Sequence, residues 1–93
     1  MTFKLERHFD GHCTTIRLIG HMKAEQLAEL KVLIEESRAK VAMDLEEVDL
    51  VDMDSVRFLN ACESAGVAVL HCSPYIRKWM LQEQDRPKEH PER

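Results

Sequence analysis

Long apolar runs are missing from this sequence: the longest uninterrupted one, residues 67–70, falls far short of the roughly 20 residues that a membrane-spanning helix needs. Positive charge is also in short supply. Lys and Arg number 13 against 17 Asp and Glu, for a net charge of −4. Binding to phosphate backbones or anionic lipid needs clustered cations that displace counterions, so neither nucleic acid nor a membrane surface is favoured. Glycine occurs only three times. Each can be assigned to a turn or an element end, which leaves no glycine-rich cradle for nucleotide phosphates. Cys13, Cys62 and Cys72 are odd in number and lack Cys-x-x-Cys spacing, which argues against a disulfide framework and predicts plain thiols in a reducing compartment. The first seven residues carry Lys4, Glu6 and Arg7 without an apolar segment, so the sequence predicts no secretory signal and a cytoplasmic location.

What is present is an ordinary globular balance of 44% apolar and 32% charged residues. A chain of 93 residues supports one modest core, burying roughly 60–65% of the unfolded surface. A single domain is expected over residues 1–84. Residues 85–93 hold Pro87, Pro91 and mostly charged side chains, and are expected to form a frayed tail.

Phe3, Leu5 and Phe9 share one face at period two, and Asp10-Gly11 suits the positive φ angles of a two-residue hairpin turn. That loop sets Phe9 opposite His12, Leu5 opposite Ile16 and Phe3 opposite Leu18. Leu27, Leu30 and Ile34 recur at i, i+3 and i+7 among charges, predicting an amphipathic helix over 24–38. A short buried strand is expected at 41–43, followed by an extended, partly apolar stretch from Val48 to Met53 read as a structured loop. Asp54 is a good N-cap for a second helix over 55–65 that carries Val56, Leu59 and Cys62 and stops at Gly66. Residues 67–70 form the last strand. Ser73-Pro74 caps a third helix ending near Gln84, with Ile76, Trp79 and Met80 inward. The order is β-β-α-β-α-β-α. It implies an α/β fold with a four-stranded mixed sheet, antiparallel in the first hairpin and parallel thereafter, and three helices packed on it.

That order, with Leu18-Ile19-Gly20-His21-Met22 leading into the first helix and Val41-Ala42-Met43-Asp44-Leu45-Glu46-Glu47-Val48-Asp49-Leu50-Val51-Asp52 preceding the second, resembles the STAS family of anti-sigma-factor antagonists. The resemblance covers residues 3–84 and implies a STAS-like fold. In that family the motif at the second helix runs Asp-Ser-Ser-Gly-Leu, and its second serine is phosphorylated by an anti-sigma factor that is itself a kinase. Here the stretch reads Asp52-Met53-Asp54-Ser55-Val56, so Asp54 stands at the phosphoacceptor, Met53 at the first serine and Ser55 at the glycine. Lys23 stands where the family often has aspartate.

The resemblance implies a regulatory protein-binding module that is not switched by serine phosphorylation at the usual position. It would dock a partner through Asp52, Met53, Asp54 and Ser55 and through Arg57, Asn60 and Ser64 on the second helix. Two readings of Asp54 stand side by side, a helix cap alone or a cap that also meets a partner. Its single charge imitates incompletely the −1.5 to −2 or so of a phosphoserine, while suiting the positive end of a helix. Ser55 becomes the acceptor if the register slips by one. The implied partner is a serine-kinase-like anti-sigma factor. The alternatives are a cytosolic accessory subunit of an ABC-type lipid or solute transporter, and a small-ligand sensor with its pocket between the first hairpin and the helix N-termini.

Enzymatic readings find little support. Asp52-Met53-Asp54-Ser55-Val56 also resembles the nucleophile step of haloacid-dehalogenase-type phosphatases, but such an enzyme needs Mg²⁺, more ligands and an enclosing domain for which the chain has little room. Serines and histidines are present without a Gly-x-Ser-x-Gly elbow. His12-Cys13 and His71-Cys72 look like metal-ligand pairs, and the two-residue loop would set His8 opposite Cys13. Adjacent strand residues point to opposite faces, however, so neither dipeptide chelates easily. No enzyme activity, cofactor or metal is therefore expected. Trp79 is expected in the core, and Tyr75 fits either the core or a partner contact.

Overall fold

The structure is a computed structural model and describes residues 3–37 and 40–85. The chain forms β1 (Phe3–Phe9), β2 (Cys13–Met22), α1 (Ala24–Glu36), β3 (Lys40–Val51), α2 (Met53–Ser64), β4 (Ala68–Leu70) and α3 (Pro74–Asp85). The expected order is found. β1 pairs antiparallel with β2, and β2–β3 and β3–β4 pair parallel, in the spatial order β1-β2-β3-β4. The tail expected at 85–93 lies, beyond Asp85, outside the described residues.

Alternation along the strands decides what is buried. Ile16 and Leu18 of β2 and Val41, Met43 and Leu45 of β3 point to one face, where they join Leu30 of α1, Val56, Leu59 and Cys62 of α2, and Ile76 and Met80 of α3 in one cluster. Burying a side chain such as Leu18 or Ile76 contributes roughly 1.5–3 kcal/mol. Trp79 packs against this cluster, whereas Tyr75 is half exposed with its ring centroid 6.2 Å from that of Trp79. On the opposite face Arg17, Ile19, Asp44 and Leu70 keep part of their surface in solvent.

The hairpin differs from expectation by two residues. Phe9 pairs with Thr14, Leu5 with Leu18 and Phe3 with Gly20. The cause is the Asp10 carboxylate, whose Oδ1 accepts from the N–H groups of His12 (2.9 Å) and Cys13 (2.8 Å) and so winds a longer turn, with Gly11 at φ 98°. A slip of two preserves the face of every side chain, so Phe3 and Leu5 still pack against the core, whereas Phe9, at the end of β1, is exposed. His8 now faces Thr15, which removes the expected His8–Cys13 juxtaposition.

β3 is the second departure, since the stretch read as a loop continues as strand to Val51. Its pairing with β2 is interrupted twice. Arg17 pairs with Asp44 but Ile19 with Glu47, and Gly20 pairs with Val48 but His21 with Leu50. Each interruption inserts one extra residue, as a β-bulge does. The two together bring Leu45, Val48 and Val51 inward at a spacing of three, which no regular strand could do. The first helix ends at Glu36 rather than Arg38, with the Ser37 N–H donating to the Ile34 carbonyl. At the end of α2, Gly66 takes φ 99° while the Val67 and Gly66 N–H groups bond the Cys62 and Glu63 carbonyls, a glycine-terminated helix end. Ser73 starts α3 as expected, its Oγ accepting from the Ile76 N–H at 3.3 Å.

Candidate functional site

β2 and β3 run side by side to Met22 and Val51, so the N-termini of α1 and α2 emerge together at the carboxyl end of the parallel strands. This edge is where open α/β sheets usually place their functional groups. Asp52 joins the two helices. Its Oδ1 accepts from the Ser55 N–H and its Oδ2 from the Ala24 N–H, both at 2.9 Å, and its own N–H donates to the Met22 carbonyl at 3.3 Å. Lys23, which precedes α1, has no side-chain acceptor to offer that helix. Asp52 supplies one across the sheet, and Gln26 Oε1 accepts from the Lys23 N–H at 2.9 Å. Burial alone would raise the Asp52 pKa. Hydrogen bonds from Ser55 and from the Ala24 N–H outweigh it and hold the carboxyl below its ordinary value.

The expected cap at Asp54 is thereby corrected: the N-cap of α2 is Asp52, and the helix starts at Met53 rather than Ser55. Asp52 has the extended backbone that a cap requires, and its carboxylate reaches the third helical N–H. Asp54 lies in the first turn, exposed, where its charge faces the positive end of the helix. Ser55, the alternative acceptor, does not face solvent. It is 0% exposed and its Oγ donates to the Met22 carbonyl at 3.0 Å, which fixes the start of α2 to the end of β2.

Met53 is half-buried at the start of α2, and Arg57 and Ser64 are exposed further along it. Asp54, Arg57, Ala61 and Ser64 recur at i, i+3, i+7 and i+10 and form one solvent-facing stripe. Asn60 does not belong to it. Its Nδ2 donates to the Met80 carbonyl at 3.0 Å and its Oδ1 accepts from Gln84 Nε2 at 2.7 Å, so α3 covers that flank. Arg57 Nε reaches Glu83 Oε1 at 3.3 Å, and Arg77 holds Glu63 through two bonds of 2.9 Å. Ala61 was missed by sequence reasoning, although the helical spacing from Asp54 would have found it. Leu50 was missed as well, a half-exposed apolar side chain two residues before Asp52.

Both Asp52 oxygens are occupied by backbone donors, which leaves that carboxylate poorly placed as a phosphoryl nucleophile. Cys62 and Cys72 are similarly disfavoured as nucleophiles. Burial pushes Cys62 up to about 11 and also raises Cys72, which disfavours the nucleophilic thiolate. A cavity of ≈ 630 Å³ lies at the opposite end of the sheet, lined by Arg7, Phe9, Gly11, His12, Thr14, Glu36 and Ser37. This cavity shares the first hairpin with the pocket expected for a ligand sensor but lies at the C-terminal end of α1, not at the helix N-termini.

No protein-family model matches the chain, and no curated protein sequence matches it. Among solved structures, the anti-sigma factor antagonist SpoIIAA in its unphosphorylated form superposes with a TM-score of 0.60 at 23% identity, over 86% of this chain and 82% of that one. The likeness shows the fold: a STAS-like α/β domain with a four-stranded mixed sheet and three helices.

Proposed function

We propose that the chain is a non-catalytic regulatory module of the anti-sigma-factor-antagonist kind, working in the cytoplasm, and that it binds a protein partner through the first turn and exposed stripe of α2. The reading rests chiefly on one arrangement. Asp54 presents its carboxylate to solvent where the resembling family carries its phosphoacceptor serine, while the neighbouring Ser55 is buried and hydrogen-bonded. The likeness to an anti-sigma factor antagonist supports the same kind of partner, a serine-kinase-like anti-sigma factor. Asp52 and Met53 frame the contact, and Arg57, Ala61 and Ser64 extend it. Asn60 contributes by holding α3 in place. A fixed charge at Asp54 makes the module independent of phosphorylation, with less than the full charge of a phosphoserine.

The test uses the purified chain and the candidate anti-sigma factor. Intact mass after incubation with the factor and ATP is expected to be unchanged, and Asp54→Asn, at a position that does not cap α2, is expected to weaken binding several-fold without loss of fold. Asp54→Ser is expected to gain one phosphate. Phosphorylation of the native chain at Ser55, or an unchanged affinity for Asp54→Asn, would overturn the proposal.

A further inference from the structure

Away from the α2 site, three metal-ligating side chains meet on the open face of the sheet. Asp44 lies in β3 opposite Leu70, the last residue of β4, and the next residue, His71, turns out of the sheet at φ 55°. The turn brings its ring back over β3, where Nδ1 lies 3.0 Å from Asp44 Oδ1. Glu46 joins them because it stands at the first bulge. Leu45 and Glu46 together oppose Leu18, and the Glu46 N–H donates to Asp44 Oδ1 at 3.0 Å. One ligand atom from each of Asp44, Glu46 and His71 lies within 4.8 Å of those of the other two.

We infer that Asp44, Glu46 and His71 form a site for a single divalent transition-metal ion of the Zn²⁺ type. The Glu46 carboxylate has no hydrogen-bond or ion-pair partner among the described residues, and it lies beside the Asp44 carboxylate and the His71 ring, where one cation would be shared by all three. Arg17, across from Asp44 in β2, pairs with Glu47, with Nη2 2.7 Å from Oε2, and its charge also acts on Asp44. Asp44, Glu46 and Glu47 against one guanidinium leave the patch negative. The donor set distinguishes among ions. An imidazole nitrogen suits Zn²⁺ or Co²⁺ and not the hard Mg²⁺ or Ca²⁺, and three protein ligands leave a fourth position to water. Asp44 is firmly placed, because it stands mid-strand between the fully buried Met43 and the nearly buried Leu45. On binding, the Asp44–His71 hydrogen bond is exchanged for two bonds to the ion, with the imidazole proton moving to its other nitrogen. The site is independent of the function proposed for α2.

The test titrates the full chain, free of any polyhistidine tag, with Zn²⁺ by calorimetry and with Co²⁺ by visible absorption. One ion per chain is expected, with d–d bands that Zn²⁺ abolishes. Glu46→Gln and His71→Asn each weaken binding by roughly tenfold or more. Asparagine tolerates the left-handed backbone at 71, and Glu46 is exposed, so neither change endangers the fold. His12→Gln, in the other His-Cys pair, leaves binding unchanged. Absence of saturable Zn²⁺ binding overturns the inference, as does binding that survives both substitutions or is lost in His12→Gln.

Discussion

The two ends of the sheet are built differently. At the carboxyl end of β2 and β3, one carboxylate caps two helices and a buried hydroxyl ties α2 to the Met22 carbonyl, so polar groups of β2, α1 and α2 and of Asp52 satisfy one another. At the other end exposed Asp10 bonds its own loop beside a cavity, and one hydroxyl pair, Ser37 Oγ to Thr14 Oγ1 at 3.3 Å, joins the end of α1 to β2. An interlocked joint holds an exposed residue such as Asp54 in a fixed position, and a local turn places nothing beyond itself. A preorganised partner surface is therefore expected at the first end.

Substitutions can break this contrast. The largest effect is expected from Asp52→Ala, which uncaps both helices and costs about 2 kcal/mol by urea denaturation, with partner binding lost in parallel. Gly11→Ala meets no steric neighbour but forces a side chain into a positive-φ backbone, costing about 1.5 kcal/mol. Partner affinity is expected to stay unchanged, and this separates the two ends more sharply than stability alone. Ser55→Ala removes the hydroxyl from the Met22 carbonyl, which keeps its bond from the Asp52 N–H, so a loss of about 1 kcal/mol is expected.

The smallest effect is on pH dependence. The Asp52 carboxyl is held below 3.8 in the folded chain, so its contribution is complete above that unfolded value and is lost as pH falls through the lower folded one. Acid titration of stability is expected to show a steeper fall for the native chain than for Asp52→Ala. Equal slopes would mean that the carboxylate does not carry the joint.

Much of this was legible in sequence where the signal is local. Period two in β1 and β2, the i, i+3, i+7 rows of the helices and the Ser73-Pro74 start of α3 gave the element order and nearly the whole inward set. What escaped depends on contacts across the chain. The choice of Asp52 over Asp54 as cap is settled by the Ala24 N–H, and the burial of Ser55 by the Met22 carbonyl, each about thirty residues away in sequence. The spacing of three at Leu45, Val48 and Val51 fits no regular period, and only pairing with β2 turns it into a bulged strand. The hairpin slip came from one side-chain carboxylate competing with the backbone for the turn.

The account is tested most directly by affinity capture of partners from the protein's own cell extract, quantified by mass spectrometry, with the native chain run beside Asp54→Lys and Arg7→Glu. The prediction is a serine-kinase-like anti-sigma factor captured by the native chain and by Arg7→Glu and lost by Asp54→Lys. Retention by Asp54→Lys with loss in Arg7→Glu would move the contact to the hairpin end and contradict the account, and capture of ABC transporter subunits in place of an anti-sigma factor would contradict the kind of partner proposed.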